Sequence, residues 1–269
     1  MTTSGAAAAV APSRVEAPDT GGGIIEFRGV VAKFGSFHAM GPTTLSIRKG
    51  EFFAIVGPSG CGKSTLLNMV AGTLAPSHGE VIYKGRRVEG INHDVGYITQ
   101  KNFCLPWRTV EGNVRLPLEF RKLPKNEINR RVSEVLKTVG LAGFEKVYPK
   151  QLSGGMRQRV MIARTLAYAP DIYLMDEPFG ALDAQLRTRM HGELMRLWQE
   201  TGATFVFVTH DLQEAITLAD RVCVMSKRPG VPKVVMEIDL PRPRDAIDVQ
   251  GDAQYGAYLK QLWSALDFH

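Results

Sequence analysis

The stretch Gly57-Pro58-Ser59-Gly60-Cys61-Gly62-Lys63-Ser64-Thr65 fits the pattern G-x-x-x-x-G-K-[ST] at every specified position. Residues 52–56, directly before it, are an apolar run with the length of a buried strand. Residues 65–71 follow as a predicted helix that ends near Gly72. Because a strand, a glycine-rich turn and a helix in this order are the context that confirms a phosphate loop, the sequence predicts a nucleotide site here.

Each residue type in this loop suits the binding of a phosphate chain. Glycines let the backbone bend and point N–H groups inward, and the helix N-terminus adds partial positive charge. Lys63 is predicted to reach the β- and γ-phosphates of ATP, and the Ser64 hydroxyl to bind Mg²⁺. A chance glycine turn is the alternative, but the pattern arises in such a chain only about one time in a hundred. The predicted nucleotide contacts are Gly57, Pro58, Ser59, Gly60, Cys61, Gly62, Lys63, Ser64 and Thr65.

The composition fits a protein with a full hydrophobic core. Of the 269 residues, 44% are hydrophobic and 22% charged, enough for one large domain or a domain with a subdomain. No apolar run reaches membrane-spanning length and no signal-peptide core is visible, which predicts a cytosolic chain. The net charge of +6 suits an anionic ligand or a membrane surface, but it is too dispersed to indicate nucleic acid.

The cysteines and histidines indicate neither a disulfide framework nor a metal site. Cys61, Cys104 and Cys223 are odd in number and scattered, and the six histidines lack ligand spacing. Cys61 lies in the phosphate loop beside a helix N-terminus and near Lys63, and both features favour a thiolate. We therefore expect maleimides to inactivate the protein and MgATP to protect it; the alternative is a buried, inert cysteine.

The order of predicted elements indicates an α/β protein with a helical insertion. The first two strands are expected to join through Gly35 and Gly41-Pro42. Apolar residues at helical spacing between Ile128 and Val139 make residues 101–164 mostly helical. Strands are expected at 24–34, 43–48, 80–83, 95–99, 172–175, 204–208 and 221–226, and helices at 156–168, 184–200 and 212–219.

These elements suggest a division of the chain. Residues 1–23 are rich in small residues and predict a disordered tail. We expect a nucleotide-binding core from residues 24–100 and 165–233, interrupted by the helical part 101–164 and followed by an extension over 234–269.

A second informative stretch is Leu152-Ser153-Gly154-Gly155-Met156-Arg157-Gln158-Arg159. A serine N-cap explains the serine, but not a glycine pair opening a second anion-receptive helix beside a phosphate loop. Here the chain resembles the ATP-binding subunits of ABC transporters, whose signature motif reads L-S-G-G-x-x-Q-R. The resemblance implies the P-loop NTPase fold of ABC-type nucleotide-binding domains, with an antiparallel β subdomain and a helical subdomain. It also implies nucleotide contacts from Ser153, Gly154, Gly155 and Gln158.

The resemblance extends to the residues that act on ATP. Residues 172–178, an apolar strand followed by Asp-Glu-Pro, match the second nucleotide motif of the family. By that match, Asp176 helps to bind Mg²⁺ and Glu177 polarises the attacking water; a solvated acidic strand end is the alternative. Ala181-Leu182-Asp183 resembles the D-loop, which places Asp183 among the nucleotide contacts.

Three further positions carry weaker signals. Gln100 resembles the Q-loop glutamine, which takes part in Mg²⁺ binding and catalysis, although alone it reads as a solvated loop residue. His210 resembles the switch histidine that contacts the γ-phosphate, although a histidine at a strand end is usually structural. Phe34 lies where the family has an adenine-stacking aromatic, with Phe27 and Phe37 as nearby alternatives and a core role also open.

In this family the signature of one subunit completes the ATP site of another, so two ATP molecules lie in a head-to-tail dimer. This chain has one phosphate loop and one signature, which implies a homodimer. The resemblance is to the nitrate, sulfonate and taurine importer group, through the run Leu105-Pro106-Trp107-Arg108-Thr109-Val110, the turn Arg228-Pro229-Gly230 and the segment 239–244. It implies a separate integral membrane permease, a solute-binding protein and a position at the cytoplasmic face of the membrane.

The alternatives are a soluble ABC ATPase without a permease and a non-catalytic nucleotide-binding regulator. The first usually needs a coiled-coil insertion or a second cassette, and neither is visible. The second fits poorly with intact Lys63, Asp176, Glu177 and His210. For Trp107 we consider both an ordinary core aromatic and an anchor for the permease. The solute stays open among nitrate, sulfonates, taurine, bicarbonate and pyrimidine-type precursors.

Overall fold

The structure, a computed structural model, describes residues 22–101 and 103–266. The predicted tail lies outside this range except for its last two residues. The strands are β1 Ile25–Phe34, β2 Phe37–Ile47, β3 Phe52–Val56, β4 His78–Tyr83, β5 Arg86–Arg87, β6 Val95–Ile98, β7 Ile172–Asp176, β8 Thr204–Thr209, β9 Arg221–Met225 and β10 Pro232–Glu237. The α-helices are α1 Lys63–Val70, α2 Val110–Phe120, α3 Lys125–Thr138, α4 Gly154–Tyr168, α5 Ala184–Thr201, α6 Leu212–Leu218 and α7 Tyr255–Leu266. Short 3-10 helices lie at Pro149–Gln151 and Asp248–Gly251.

A six-stranded sheet in the order β10-β9-β3-β8-β7-β6 forms the centre of the fold. All of its pairings are parallel except that of β10 with β9. Strands β3, β7, β8 and β9 are buried along their whole length, which explains why their sequences are continuous apolar runs. Aromatic rings stack across three of them, with centroids 5.2 Å apart for Phe52 and Phe205 and 4.5 Å for Tyr173 and Phe205.

The parallel register brings the predicted motifs to one edge of this sheet. Val56, just before the phosphate loop, pairs with Thr209, and Asp176 pairs with Val208. Ile98, two residues before Gln100, pairs with Met175. Since ligands of open α/β sheets bind at the carboxyl ends of the strands, this edge is the expected position of the site.

The second sheet is antiparallel, has the order β2-β1-β4-β5 and confirms the predicted antiparallel β subdomain. Its second strand starts at Phe37 rather than at Thr43 and continues through Gly41-Pro42, where a connection was expected. Proline is tolerated there because β2 is an edge strand, and the Gly41 N–H donates to the Gly230 carbonyl oxygen at 3.0 Å outside the sheet.

Helices α2, α3 and α4 pack on one another and form the helical part. Ile128, Val132 and Leu136 are buried on one face of α3, as their spacing predicted. Helix α4 begins at Gly154, two residues before the predicted start, because the Ser153 side chain caps it. It also runs past residue 164, so the expected boundary at 164/165 falls inside a helix.

The C-terminal extension is joined to the core. The expected boundary at 233/234 falls inside β10, which pairs with β9, and α7 packs on α6. Buried Arg244 donates hydrogen bonds to the carbonyl oxygens of Ile216, Ala219, Ile238 and Leu240, at 2.6–3.2 Å. One cation thus ties the end of α6 to the start of the extension. Across residues 22–101 and 103–266, no helix combines the length and hydropathy needed to cross a bilayer.

Candidate functional site

The phosphate loop leaves β3 at Val56 and enters α1 at Lys63, which is the predicted strand, turn and helix. Gly60 and Gly62 have φ angles of 76° and 105°, in the left-handed region that favours glycine. In the part of the chain that the structure describes, no side chain caps the N-terminus of α1. The N–H groups of its first turn are therefore available to an anion.

Lys63 lies folded against its own loop. Its ammonium group donates to the carbonyl oxygens of Gly57 at 2.8 Å and of Pro58 at 3.0 Å, and the residue is buried. Lys63 also lines a cavity of about 400 Å³. The ammonium group can therefore exchange these carbonyl oxygens for the oxygens of a phosphate in the cavity.

This cavity brings together residues that lie far apart in the sequence. Besides the phosphate loop, it is lined by Phe34, Gln100, Glu177 and Arg228. The polyphosphate-binding loop, an exposed aromatic ring and a carboxylate thus face one space. Its volume is in the range of small-molecule and cofactor sites.

Asp176 ends β7 beside the phosphate loop and is 5% exposed. Burial raises the pKa of its carboxyl group, while a hydrogen bond from the Ser64 hydroxyl and the charge of Lys63 act in the opposite direction. Its Oδ1 atom is buried without a hydrogen-bond partner in the part of the chain that the structure describes. An orphaned carboxylate oxygen beside a hydroxyl fits a hard divalent cation, so Asp176 and Ser64 suit the predicted Mg²⁺.

Glu177 lies at the centre of the predicted catalytic group. Its Oε2 atom accepts a hydrogen bond from Gln100 Nε2 at 3.2 Å and lies 3.4 Å from His210 Nδ1. The residue has a φ of 47°, uncommon for a residue with a side chain, and its N–H donates to the Val208 carbonyl oxygen at 2.9 Å. The ends of β6, β7 and β8 thus bring together three side chains that were predicted separately.

The signature segment lies outside this cavity. Ser153 caps α4 by accepting a hydrogen bond from the Met156 N–H at 3.2 Å, and Ser153 and Gly154 are exposed. A Cβ atom added at Gly155 would lie 3.1 Å from the Ala181 carbonyl oxygen, so the glycine permits close packing against the segment before α5. None of these three residues lines the cavity that contains Lys63.

Two residues predicted to contact the nucleotide make structural contacts within their own chain. Gln158 is 2% exposed, and its amide donates to the Pro178 carbonyl oxygen at 2.9 Å, so its side chain connects α4 with the segment after β7. Asp183 is exposed but caps α5, with Oδ1 accepting from the Leu186 N–H at 2.9 Å.

The predicted reactivity of Cys61 is wrong. The residue is 1% exposed, and burial raises the pKa of its thiol more than Lys63 lowers it. The turn at Gly230 packs so closely that a Cβ atom there would lie 1.8 Å from the Cys61 carbonyl oxygen. Only the backbone of Cys61 is suited to a nucleotide.

The three aromatic residues considered for the base differ in their burial. Phe27 is buried in the core, whereas Phe34 and Phe37 pair across the β1–β2 hairpin, are 50% and 44% exposed and line the cavity. The guanidinium of Arg228 covers Phe37, 4.6 Å from the ring centroid. Phe34 therefore keeps the position predicted for an adenine-stacking ring. The sequence reasoning missed Arg228, although its Arg-Pro-Gly turn was a visible signal.

Trp107 is not a core residue, since 71% of its surface is exposed. Its loop is rigid nonetheless, because fully buried Asn113 accepts from the Leu105 N–H and donates to the carbonyl oxygens of Leu105, Arg108 and Thr109. Arg164 of α4 donates to the Phe103 carbonyl oxygen at 3.1 Å and to both the carbonyl and the side-chain oxygen of Asn113. Hydrogen bonds thus fix the loop in place, while most of the Trp107 side chain is exposed.

Comparison with known proteins gives the family. The sequence model described as ABC transporter matches residues 40–180. The chain belongs to the ABC transporter family. An uncharacterized ABC transporter ATP-binding protein of Methanocaldococcus jannaschii is 48% identical over 84% of this chain and 83% of its own length. An aliphatic sulfonates import ATP-binding protein of Bacillus cereus is 45% identical over 74% of this chain and 78% of its own.

A solved structure agrees with the fold. A dimeric ATP-binding cassette in a post-hydrolysis state, bound to ADP and Pi, superposes with a TM-score of 0.73 at 33% identity over 81% of this chain and all of that one. The predicted fold and the predicted family resemblance are confirmed. The chain is an ATP-binding ATPase that belongs to the importer ATP-binding subunits of the family.

Proposed function

We propose that this chain is the ATP-hydrolysing subunit of an importer that takes up a small solute, such as nitrate, a sulfonate, taurine or bicarbonate, through a separate permease. The catalytic part of this proposal rests on one observation, that Gln100 Nε2 and His210 Nδ1 both lie close to Glu177 Oε2. These residues follow strands that end at the same sheet edge as the phosphate loop. Gln100 and Glu177 line the cavity of about 400 Å³ that the loop also lines, a volume in the range of small-molecule and cofactor sites.

In the proposed reaction the backbone of the phosphate loop and Lys63 hold the phosphate chain. Water attacks the γ-phosphorus, a new P–O bond forms, and the bond to the β–γ bridging oxygen breaks to release ADP. Glu177 orients that water and accepts its proton, while Gln100 and His210 fix the carboxylate that receives it. Asp176 and Ser64, with Gln100 nearby, are the residues that would hold Mg²⁺. The bound ion neutralises charge on the phosphates.

The proposal includes a head-to-tail homodimer. Ser153 and Gly154 are exposed at the start of α4 and do not line the cavity of their own chain. A second copy can therefore present this helix N-terminus to the phosphates of the bound ATP. The dimeric cassette to which this chain is similar supports the arrangement.

The permease contact is proposed for the loop around Trp107. A large aromatic side chain on a rigid loop is the type of residue that dominates interface energies. The loop follows Gln100 directly, so one segment reaches from the nucleotide site to the proposed partner. This arrangement would place the chain at the cytoplasmic face of a membrane through the permease, with a solute-binding protein acting on the far side.

The test compares Trp107→Ala with Trp263→Ala, which removes another exposed tryptophan, 52% accessible, from α7. We expect both variants to keep the wild-type melting temperature and the basal ATPase rate. Trp107→Ala alone should reduce co-purification with the permease or uncouple hydrolysis from uptake. Unchanged co-purification and coupling would argue against this contact, whereas a wild-type chain that co-purifies with no membrane protein would favour a soluble ATPase.

A further inference from the structure

The turn Arg228-Pro229-Gly230 between β9 and β10 packs directly on the phosphate loop. Gly230 is the contact with Cys61, where no Cβ atom can be accommodated, and its carbonyl oxygen accepts from the Gly41 N–H. The turn is therefore fixed between β2 and the phosphate loop. It lies beyond residues 40–180, the part that the family's sequence model matches.

Arg228 projects from this turn into the nucleotide cavity. Its Nε–H donates to the Gly60 carbonyl oxygen at 3.2 Å, and its guanidinium lies on the ring of Phe37. A Cβ atom added at Gly60 would lie 2.5 Å from Arg228 Nη2, which shows how closely the group sits over the loop backbone. A hydrogen bond and a stacked ring thus hold the guanidinium at the rim of the cavity.

The charge of Arg228 has no acidic partner among the residues that the structure describes. Within residues 22–101 and 103–266, no carboxylate forms an ion pair with it, and the side chain is exposed. A guanidinium offers five N–H donors in a planar fork, and the contact with Gly60 uses one of them. Such a group, held next to backbone N–H groups that bind phosphate, is suited to phosphate oxygens.

We propose that Arg228 binds the phosphate chain of the nucleotide, as a binding residue additional to Lys63. Phe37 serves as the platform that holds the guanidinium in place, which leaves Phe34 for the base. The inference deepens the proposed function and rests on the same nucleotide site. It implies that Arg228 favours nucleotides with a polyphosphate over the bare nucleoside.

The experiment measures dissociation constants for MgATP, MgADP and adenosine by calorimetry, on wild type, Arg228→Ala, Arg228→Lys and Lys227→Ala. For Arg228→Ala we expect about tenfold weaker binding of MgATP and MgADP, with adenosine unchanged. Arg228→Lys should recover part of the loss, since it keeps the charge. Lys227→Ala removes the same charge one residue away and should bind like wild type.

Several results would overturn the inference. These are MgATP affinity within twofold of wild type in Arg228→Ala, an equal loss for adenosine, or no advantage of Arg228→Lys over Arg228→Ala. A melting curve for each variant excludes a folding defect as the cause. Lys63→Ala separates the two proposals: if it too leaves MgATP binding intact, the proposed site itself is wrong, whereas an effect of Lys63→Ala alone contradicts only the role of Arg228.

Discussion

Replacing Glu177 with glutamine tests the proposed chemistry at its centre. The substitution keeps the shape of the side chain, and its carbonyl oxygen can still accept the hydrogen bond that Gln100 donates to Glu177 Oε2. What is lost is the negative charge and the ability to take a proton. The expected damage is therefore confined to the step in which water attacks.

The size of the effect follows from the role. A positioned general base contributes roughly 10²–10⁴-fold to the rate, which is about 3–5 kcal/mol on the barrier. Nucleotide binding should not weaken, because the phosphate loop and Lys63 are untouched. Burial is the largest cause that raises the pKa of Asp176, and the charge of Glu177 raises this pKa further. Its removal should favour the ionised form of Asp176 and leave MgATP binding equal or tighter.

The assay measures phosphate release at saturating MgATP, with affinity determined separately by calorimetry. We expect Glu177→Gln to lose hydrolysis, to keep affinity, and to accumulate an ATP-bound dimer visible by light scattering. Lys63→Ala is the matched control and should lose affinity itself. Turnover of Glu177→Gln at the wild-type rate would refute the assignment of Glu177, and a large loss of affinity would show that the carboxylate serves binding instead.

Two further predictions concern stability. Burial raises the pKa of Glu51 to about 6, despite its buried ion pair with Arg221 at 3.3 Å. Since the folded state then holds this proton more tightly than the unfolded state, the free energy of unfolding should fall by about 2 kcal/mol as pH rises from about 4.5 through 6. When the free energy of unfolding is measured with urea at several pH values in this range, it should depend less on pH in Glu51→Gln than in wild type. An identical dependence on pH in both proteins would contradict the assignment. Burial also lowers the pKa of Arg244 to about 10, so the residue is still a cation at neutral pH. Arg244→Met should lose about 2–5 kcal/mol by leaving carbonyl groups without a donor, and Arg244→Lys should not restore it, because an ammonium lacks the planar fork. Full stability of Arg244→Met in the same unfolding assay would contradict this.

Much of the fold was predictable because local and global signals agree. The run from Phe52 into the phosphate loop contains a buried strand, glycines at positive φ angles and a helix, each readable from neighbouring residues. Glu177 was identified through the resemblance to the family, because the apolar strand followed by two acidic residues matches its second nucleotide motif. Parallel pairing then brings such strand ends together at one edge.

The features that the sequence did not predict depend on contacts between residues that are distant in the sequence. The inertness of Cys61 depends on the packing of Gly230, and Gln158 is buried because Pro178 offers it a carbonyl oxygen. The pattern around Pro42 indicated a break, because nothing local shows that β2 lies at a sheet edge. Arg228 escaped notice since its value depends on Phe37 and Gly60, which lie near it only after folding.

Arg164 connects the helix that begins at the signature with the loop that bears Trp107. Helix α4 begins at the exposed signature and carries Arg164 one residue after Ala163, near its other end, where the guanidinium holds both Phe103 and Asn113. The signature thus lies at the N-terminal end of α4, and the loop that bears Trp107 is bound near its C-terminal end. In the proposed dimer, a displacement of the signature end of α4 by a second copy would therefore also move the loop that bears Trp107.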